Sequence, residues 1–167
     1  MFREMRRIKQ LLSIQDSIAV LSKMTSGILA VSGDDYYPYA VPLSYVYHDN
    51  KIYFHCALEG HKIDSINRNS KVSFCVIEKD EIIPDSFTTH YRSVIAFCKA
   101  RIVETSEEKM KATRLLAEKY SPNREEGLQH EIEKAYHRMC IIVLDIEHLT
   151  GKEAIELTRE REFYANN

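Results

Sequence analysis

Alternation of apolar and polar positions dominates the chain and predicts a protein built mainly from β-strands. The residues from Ile52 to Cys56 alternate in the period of a half-buried strand. Gly60 interrupts this pattern, and Ile63 and Ile66 then follow helical spacing. The stretch therefore predicts a strand, a short turn and the beginning of a helix.

Similar patterns predict further elements on both sides of this stretch. The other predicted strands cover residues 27–32, 37–48, 72–77, 91–102 and 140–146. Three other helices are predicted. The first begins after Ser13 and places Ile14, Ile18 and Leu21 on one face. The second has Ser106 as its N-cap, and the third covers 126–138. We expect residues 78–87 to form a loop that acts as a lid or interface arm, and Thr150-Gly151-Lys152 to turn into a polar tail. Antiparallel strands with grouped helices indicate a mainly β fold with flanking helices, in a small barrel or curled sheet.

The predicted strand 37–48 contains two prolines, Pro38 and Pro42. Proline cannot donate a hydrogen bond to a sheet ladder. The strand must therefore lie at a sheet edge, contain a bulge, or face something other than another strand. A planar ligand would meet the last condition.

Length and composition narrow the class of protein. With 167 residues, 44% hydrophobic and 29% charged, the chain suits one globular domain over 1–167, with 1–10 as a charged leader and 153–167 as a polar tail. A net charge of −2 disfavours nucleic acid as a partner. Neither a signal peptide nor a membrane-spanning run is evident, so we expect a cytoplasmic protein without membrane contact.

Cysteine and histidine usage does not predict a metal site. The four cysteines, Cys56, Cys75, Cys98 and Cys140, lie far apart within apolar runs, which favours buried free thiols. His130 and His137 lack a cysteine or carboxylate at ligand spacing, and a solvated helix face explains them better.

The turn Gly60-His61-Lys62 is a candidate anion site. The first turn of a helix exposes unpaired amide groups and the positive end of the helix dipole, and His61 and Lys62 add donors at the same place. A phosphate is the ligand that this arrangement favours. A solvated basic turn is the alternative on these residues alone.

Five segments in succession resemble the pyridoxamine 5'-phosphate oxidase-like FMN-binding split barrels, and especially their nitroimidazole-resistance branch. They are Pro38 to Tyr45, Ile52 to Ala57 with Gly60-His61-Lys62, Asn69 to Phe74, Tyr91 to Val94, and Leu149 to Lys152. The resemblance implies a split β-barrel homodimer with two FMN sites at the subunit interface.

The same resemblance implies roles for individual residues. The strand formed by Val41, Pro42, Leu43, Ser44 and Tyr45 would follow the isoalloxazine ring; Gly60, His61 and Lys62 would hold the phosphate; and Arg92 and Ser93 would approach the flavin, from either subunit. His55 would lie near the cofactor as the catalytic residue, with Cys56 beside it. The oxidases have Ser-Arg where this chain has Gly60-His61, so phosphate affinity is expected to be weaker or pH-dependent.

The function implied is that of an FMN-dependent oxidoreductase. NADH or NADPH would reduce the flavin, which would then reduce a small flat acceptor such as a nitroaromatic compound. Oxidation of pyridoxamine phosphate is disfavoured because the extended set of basic substrate-phosphate contacts is missing. Two alternatives stay open: a flavin-binding or sensing module without turnover, and a split barrel that binds heme through His55 or His61.

Overall fold

The computed structural model describes residues 2–124, 127, 129, 130, 132, 134 and 136–165, and it contains the predicted strands and flanking helices. The strands are β1 (Ser26–Ser32), β2 (Pro38–Ser44), β3 (Val46–His48), β4 (Lys51–Cys56), β5 (Lys71–Ile83), β6 (Thr88–Ile102) and β7 (Cys140–Glu153). The helices are α1 (Ile14–Lys23), α2 (His61–Arg68), α3 (Ser106–Tyr120) and α4 (Ile155–Ala165). The helix predicted over 126–138 lies partly outside the described residues.

One antiparallel sheet contains all seven of these strands, in the order β2-β1-β5-β6-β7-β4-β3. Its two edge strands, β2 and β3, are consecutive in sequence and are separated only by Tyr45. The sheet therefore curls until its two edges meet in one continuous chain segment. This arrangement confirms the predicted mainly β fold with flanking helices.

Proline in β2 is explained by the position of that strand. β2 pairs with β1 from Ser26↔Ser44 to Ser32↔Pro38, and no strand of the described chain lies on its other side. Pro38 and Pro42 therefore occupy an edge strand, where a missing amide hydrogen is tolerated. The next turn, at Asp49-Asn50, has φ values of 50° and 58° and joins β3 to β4.

The core has two parts because some strands are covered on both faces. The larger part fills the inside of the sheet, and its fully buried members include Leu29, Phe54, Phe74 and Ile142. The smaller part lies beneath α3 and includes Val46, Tyr53, Val103, Ala112, Leu116, Ile141 and Val143. The expectation of a half-buried strand at 52–56 is therefore wrong at Tyr53, which α3 covers. Coverage on both faces also explains the unbroken apolar run that begins β7.

The segment 78–87 is not the predicted loop. β5 and β6 stay paired through a register shift after Ile77 and continue to Ile83↔Thr88, so this segment is the outer part of a long hairpin. A short 3₁₀ turn, Pro84–Ser86, closes it. Ile82 and Phe87 near its tip are 75% and 98% exposed, so it projects as an arm.

The buried face of α1, the N-cap of α3 and the structure of the C-terminal segment also differ from the predictions. Helix α1 has Ser13 as N-cap as expected, but it buries Ser17, Val20 and Leu21 and leaves Ile14 exposed. The N-cap of α3 is Thr105 rather than Ser106, since the Thr105 hydroxyl accepts a hydrogen bond from the Glu108 amide. Residues 150–152 belong to β7, and most of the predicted polar tail forms α4.

Candidate functional site

Helix α2 begins beside the barrel with an exposed basic turn. Gly60 has a φ of 128°, a conformation that other residues rarely adopt, and a Cβ there would meet no atom of the described residues within 4 Å. The Gly60 carbonyl accepts hydrogen bonds from the Ile63 and Asp64 amides at 2.8 and 3.1 Å. Amides earlier in the first turn have no partner within the helix. The turn therefore presents donors to an open surface.

Lys62 and His61 differ in how they are held at this turn. Within the described part of the chain, no carboxylate lies within 4 Å of the Lys62 ammonium. The His61 ring stacks on Tyr39 with centroids 4.2 Å apart, and its Nε2 lies 3.5 Å from an Asp34 carboxylate oxygen. Arg68 binds the other oxygen of Asp34 at 2.7 Å. Lys62 is therefore available to an anion, whereas His61 already has neighbours within the chain.

Stacking between Tyr39 and His61 brings β2 next to the basic turn. Along β2, Val41 and Leu43 are half-buried against the core, whereas Pro42 and Ser44 are exposed. The exposed side of β2 and the first turn of α2 therefore form one surface. We refer to Pro38–Ser44 together with Gly60, His61 and Lys62 as the strand–helix surface.

Tyr45 does not contribute to the strand–helix surface. Its side chain is fully buried, and its hydroxyl donates to the Leu21 carbonyl at 2.8 Å. Its backbone amide and carbonyl both pair with the Tyr120 hydroxyl, at 2.8 Å each. Burial raises the pKa of the Tyr45 phenol above its ordinary value, with a smaller contribution from Tyr120. The polar groups of Tyr45 thus serve the barrel itself.

His55 and Cys56 lie at the end of β4 on opposite faces of the sheet. Cys56 packs against the larger core, while His55 is exposed on the face that Tyr53 shares with α3. One flat ligand therefore cannot lie against both side chains on a single face of β4.

Arg92 and Ser93 lie far from the basic turn of the same chain. Ser93 pairs with Lys152 and Arg92 with Glu153, whereas the end of β4 pairs with β7 at Ile141 and Cys140. Those positions on β7 are about twelve residues apart, or about 40 Å along the strand. Within one chain, the predicted residues therefore do not form a single cluster.

Arg92 also has partners of its own. Its guanidinium donates to Glu153 at 2.8 and 3.0 Å and to Glu78 at 3.0 Å. Burial alone would lower the pKa of Arg92, but these two carboxylates outweigh that effect and raise it. Glu153 is fully buried and binds Arg161 through its other oxygen at 3.0 and 3.1 Å. We refer to Glu78, Arg92, Glu153 and Arg161 as the ion-pair cluster.

Sequence reasoning missed the residues that hold His61. Tyr39 lies within the predicted strand 37–48, but no local pattern marked Tyr39, Asp34 or Arg68 as a neighbour of His61. Those contacts form because the curled sheet places the turn before β2 next to α2.

Among the described residues, no group of three or more His, Cys, Asp or Glu side chains could hold a metal ion. No helix of the described chain is long and apolar enough to span a membrane.

Several solved structures share this fold. A proposed 5-nitroimidazole antibiotic resistance protein from Bacteroides thetaiotaomicron is 18% identical, with a TM-score of 0.70 over 86% of each chain. A FAD-binding protein from Mesorhizobium loti is 23% identical, with a TM-score of 0.65 over 87% of this chain and 97% of that one. A flavocytochrome from Azotobacter vinelandii is 15% identical, with a TM-score of 0.78 over 91% of this chain and 72% of that one.

Family membership rests on the sequence as well as on the fold. No curated protein sequence matches the chain. The family profile described as pyridoxamine 5'-phosphate oxidase, however, matches residues 13–153, which include β1 to β7 and the helices between them. The chain therefore belongs to the pyridoxamine 5'-phosphate oxidase family.

Proposed function

We propose that the strand–helix surface binds the phosphate and ring of FMN, and that the protein uses this flavin as an oxidoreductase. The observation that carries the proposal is Lys62, whose ammonium has no carboxylate partner in the described chain and lies in the first turn of α2. Family membership and the FAD-binding relative support a flavin as the ligand. FMN is expected rather than FAD because one short basic turn offers contacts for a single phosphate.

The residues of this surface suit the two ends of the cofactor. First-turn amides and the Lys62 ammonium can donate to phosphate oxygens, aided by the positive end of the helix dipole. The open space at Gly60 lets a ligand approach the backbone closely. Pro42 and Ser44, exposed on the edge strand, offer a surface against which a flat ring can lie.

The chain's own part in the reaction would be binding and positioning. The flavin, when bound, supplies the transfer of hydride from NADH or NADPH to a small flat acceptor such as a nitroaromatic compound. His55, exposed at the end of β4, would orient the acceptor or donate a proton to it.

Absorbance and a lysine variant test the cofactor assignment. The purified protein should show flavin absorbance, and heat should release FMN rather than FAD. Lys62→Ala should weaken FMN binding about 10- to 100-fold, because one charge-assisted phosphate contact contributes about 1.5–3 kcal/mol. Lys71→Ala, which removes an exposed lysine of β5, is the matched control and should leave the affinity unchanged. Equal affinities in the two variants would rule out the phosphate assignment.

Turnover needs its own measurement. Rapid mixing of the FMN-loaded protein with NADH or NADPH should bleach the flavin, and a nitroaromatic compound should restore its colour. A flavin that binds but is not bleached by either nucleotide would identify the chain as a flavin-binding module without turnover.

A homodimer belongs to the same proposal, because a second copy could bring its Arg92 and Ser93 towards this surface. Ile77, Ile95 and Phe97 form an apolar patch on the outer face of β5 and β6, with 50%, 40% and 37% of their surfaces exposed. Ile95→Glu should shift the protein from dimer to monomer in sedimentation, whereas Ile95→Val should not. A wild-type monomer would remove the dimer from the proposal.

Heme is a second candidate ligand, favoured by the flavocytochrome with the same fold and by the exposure of His55. His61 suits an axial ligand less well, because it stacks on Tyr39 and faces Asp34. A Soret band that His55→Ala abolishes would support heme binding. The absence of such a band after incubation with hemin would exclude it.

A further inference from the structure

Cys56 and Cys140 are direct partners across two neighbouring strands. Cys56 is the last residue of β4, Cys140 is the first residue of β7, and the two face each other in the register of the antiparallel pair. Both side chains belong to the inner face of the sheet, where Cys140 is buried and Cys56 is half-buried. Sequence reasoning treated all four cysteines as isolated thiols, because residues 56 and 140 are brought together only by the fold.

We propose that Cys56 and Cys140 form a redox-active dithiol, which a low-molecular-weight disulfide converts reversibly into a cross-strand disulfide. This assignment does not depend on flavin binding, since it uses only the two thiols and their strands.

The separation of paired strands suits such a bond. Opposed residues of antiparallel strands have Cα atoms about 4.5–5.5 Å apart, within the range of about 4.4–6.8 Å that disulfides span. Their Cβ atoms are about 4.5–5.5 Å apart, slightly more than the 3.5–4.5 Å of a relaxed disulfide. Bond formation therefore needs a small approach of the two strand ends. A bond that stores strain in this way is easily reduced again.

The two thiols also interact with each other and with nearby lysines. Burial raises the pKa of Cys56 to about 12, and the charge of Cys140 raises it too, while Lys62 opposes the rise. Burial likewise raises the pKa of Cys140, against contributions from Cys56, Lys109 and Lys62 that lower it. Cys140 is thus the thiol whose ionised form its neighbours favour, and Cys56 is the more accessible one.

Accessibility sets the order of the two exchange steps. The Cys56 thiolate attacks one sulfur of the small disulfide, forms a mixed disulfide and releases one thiolate, which takes up the proton that Cys56 lost. The Cys140 thiolate then attacks the Cys56 sulfur, forms the Sγ–Sγ bond and releases the second thiolate, which takes up the proton of Cys140. Two protein thiols are oxidised, and one small disulfide is reduced to two thiols. The second step is favoured because the strand register already holds its reactants together.

The other two cysteines provide an internal contrast. Cys75 pairs with Ile95, and Cys98 pairs with Val72, so the two are three positions apart along the β5–β6 ladder. Cys98 is buried in the core, whereas Cys75 alternates with the buried Phe74 and Val76 and points to the outer face. They cannot form a bond with each other within one folded chain.

Glutathione disulfide is a suitable probe for the folded, fully reduced protein. After incubation, alkylation of the remaining thiols and peptide mass spectrometry should show Cys56 joined to Cys140, and dithiothreitol should restore both thiols. Cys140→Ser should stop at glutathione bound to Cys56, because the second step has lost its nucleophile. Cys75→Ser should behave like the wild type.

Two results would overturn the proposal: glutathione on Cys56 of the wild type without an internal bond, or four free thiols after the same exposure. If Cys140→Ser does not fold, the wild-type and Cys75→Ser peptide maps decide between the internal bond and these two results.

Discussion

The strand–helix surface and the ion-pair cluster both contain basic residues from segments that resemble the family, yet their surroundings differ. Glu153 is fully buried in the ion-pair cluster and is bound by Arg92 and Arg161. In the strand–helix surface, Lys62 has no carboxylate within 4 Å in the described chain. Sequence motifs of the family include both Arg92 and Lys62. Only the structure shows that Arg92 is paired with carboxylates and supports the fold, whereas Lys62 has no carboxylate partner among the described residues.

The largest effect should come from the buried carboxylate. Glu153→Gln keeps the shape of the side chain but removes the charge between two guanidinium groups, so the free energy of unfolding should fall by about 3–5 kcal/mol. Urea denaturation of the variant measures the loss. Glu81→Gln, which breaks an exposed pair with Lys79, is the matched control and should produce no measurable change. Equal stabilities of the two variants would mean that the cluster does not support the fold.

A smaller loss is expected from filling space beside the cluster. Gly151 lies under α1, and a Cβ there would come within 2.4 Å of the Ser17 hydroxyl and 2.8 Å of a Leu12 methyl group. Gly151→Ala should therefore lower the free energy of unfolding by about 3 kcal/mol, as measured by urea denaturation. Full stability of the variant would show that α1 can move away from β7 without cost.

The corresponding glycine of the strand–helix surface is constrained by its backbone instead of its neighbours. A Cβ on Gly60 would meet nothing within 4 Å in the part of the chain that the structure describes, but its φ of 128° is unfavourable for alanine. Gly60→Ala should cost about 1 kcal/mol in thermal or urea unfolding. Gly127→Ala serves as control and should cost less, since a Cβ at Gly127 likewise meets no described atom within 4 Å and its φ is not in the left-handed region. A reversed order would contradict the contrast between space and conformation.

Acid should weaken the ion-pair cluster through Glu78. Burial alone would raise the pKa of Glu78, but hydrogen bonds from Lys23 and Arg92 outweigh it and lower the pKa. A lowered folded-state pKa stabilises the protein above the unfolded-state value, and this contribution is lost as the pH falls through the folded-state pKa. Between pH 6 and pH 3, the melting temperature should therefore fall more steeply for the wild type than for Glu78→Gln. Parallel curves would exclude Glu78 as a source of acid sensitivity.

The smallest change in stability should come from the residue most important for the proposed function. Lys62→Ala should alter the free energy of unfolding by less than about 0.5 kcal/mol, since it removes no ion pair or hydrogen bond found among the described residues. Urea denaturation without flavin measures this. A large loss of stability would show that Lys62 supports the fold, and its effect on FMN affinity would then need another explanation.

Local patterns in the sequence predicted most of the fold, because they depend on neighbouring residues. The N-cap at Ser13 is confirmed, and the strand with Pro38 and Pro42 takes the edge position, one of the three arrangements that its prolines allowed. The strand pairing of the outer arm was missed because Glu78 to Glu81 is charged, and an exposed hairpin does not need an apolar pattern. The burial of Tyr53 was missed because α3, far along the chain, supplies its cover.

Contacts between distant segments were the part of the site that could not be predicted. The sequence Gly60-His61-Lys62 predicts a basic turn by itself. The pairing of His61 with Asp34, however, depends on how the barrel brings the two segments together. The pairing of Cys56 with Cys140 depends on the β4–β7 register, across 84 positions of sequence. The resemblance to the family identified the chain segments, and it could not tell that Arg92 already has carboxylate partners.

The position of Tyr45 between β2 and β3 should protect the protein against strand exchange and aggregation. Tyr45 alone separates the two edge strands of the sheet, and hydrogen bonds fix its hydroxyl, amide and carbonyl. An edge strand is ordinarily free to leave its sheet and exchange with another molecule or seed aggregation. Here neither edge can peel away without pulling on the other, so the barrel should open in one cooperative event rather than by fraying from an edge.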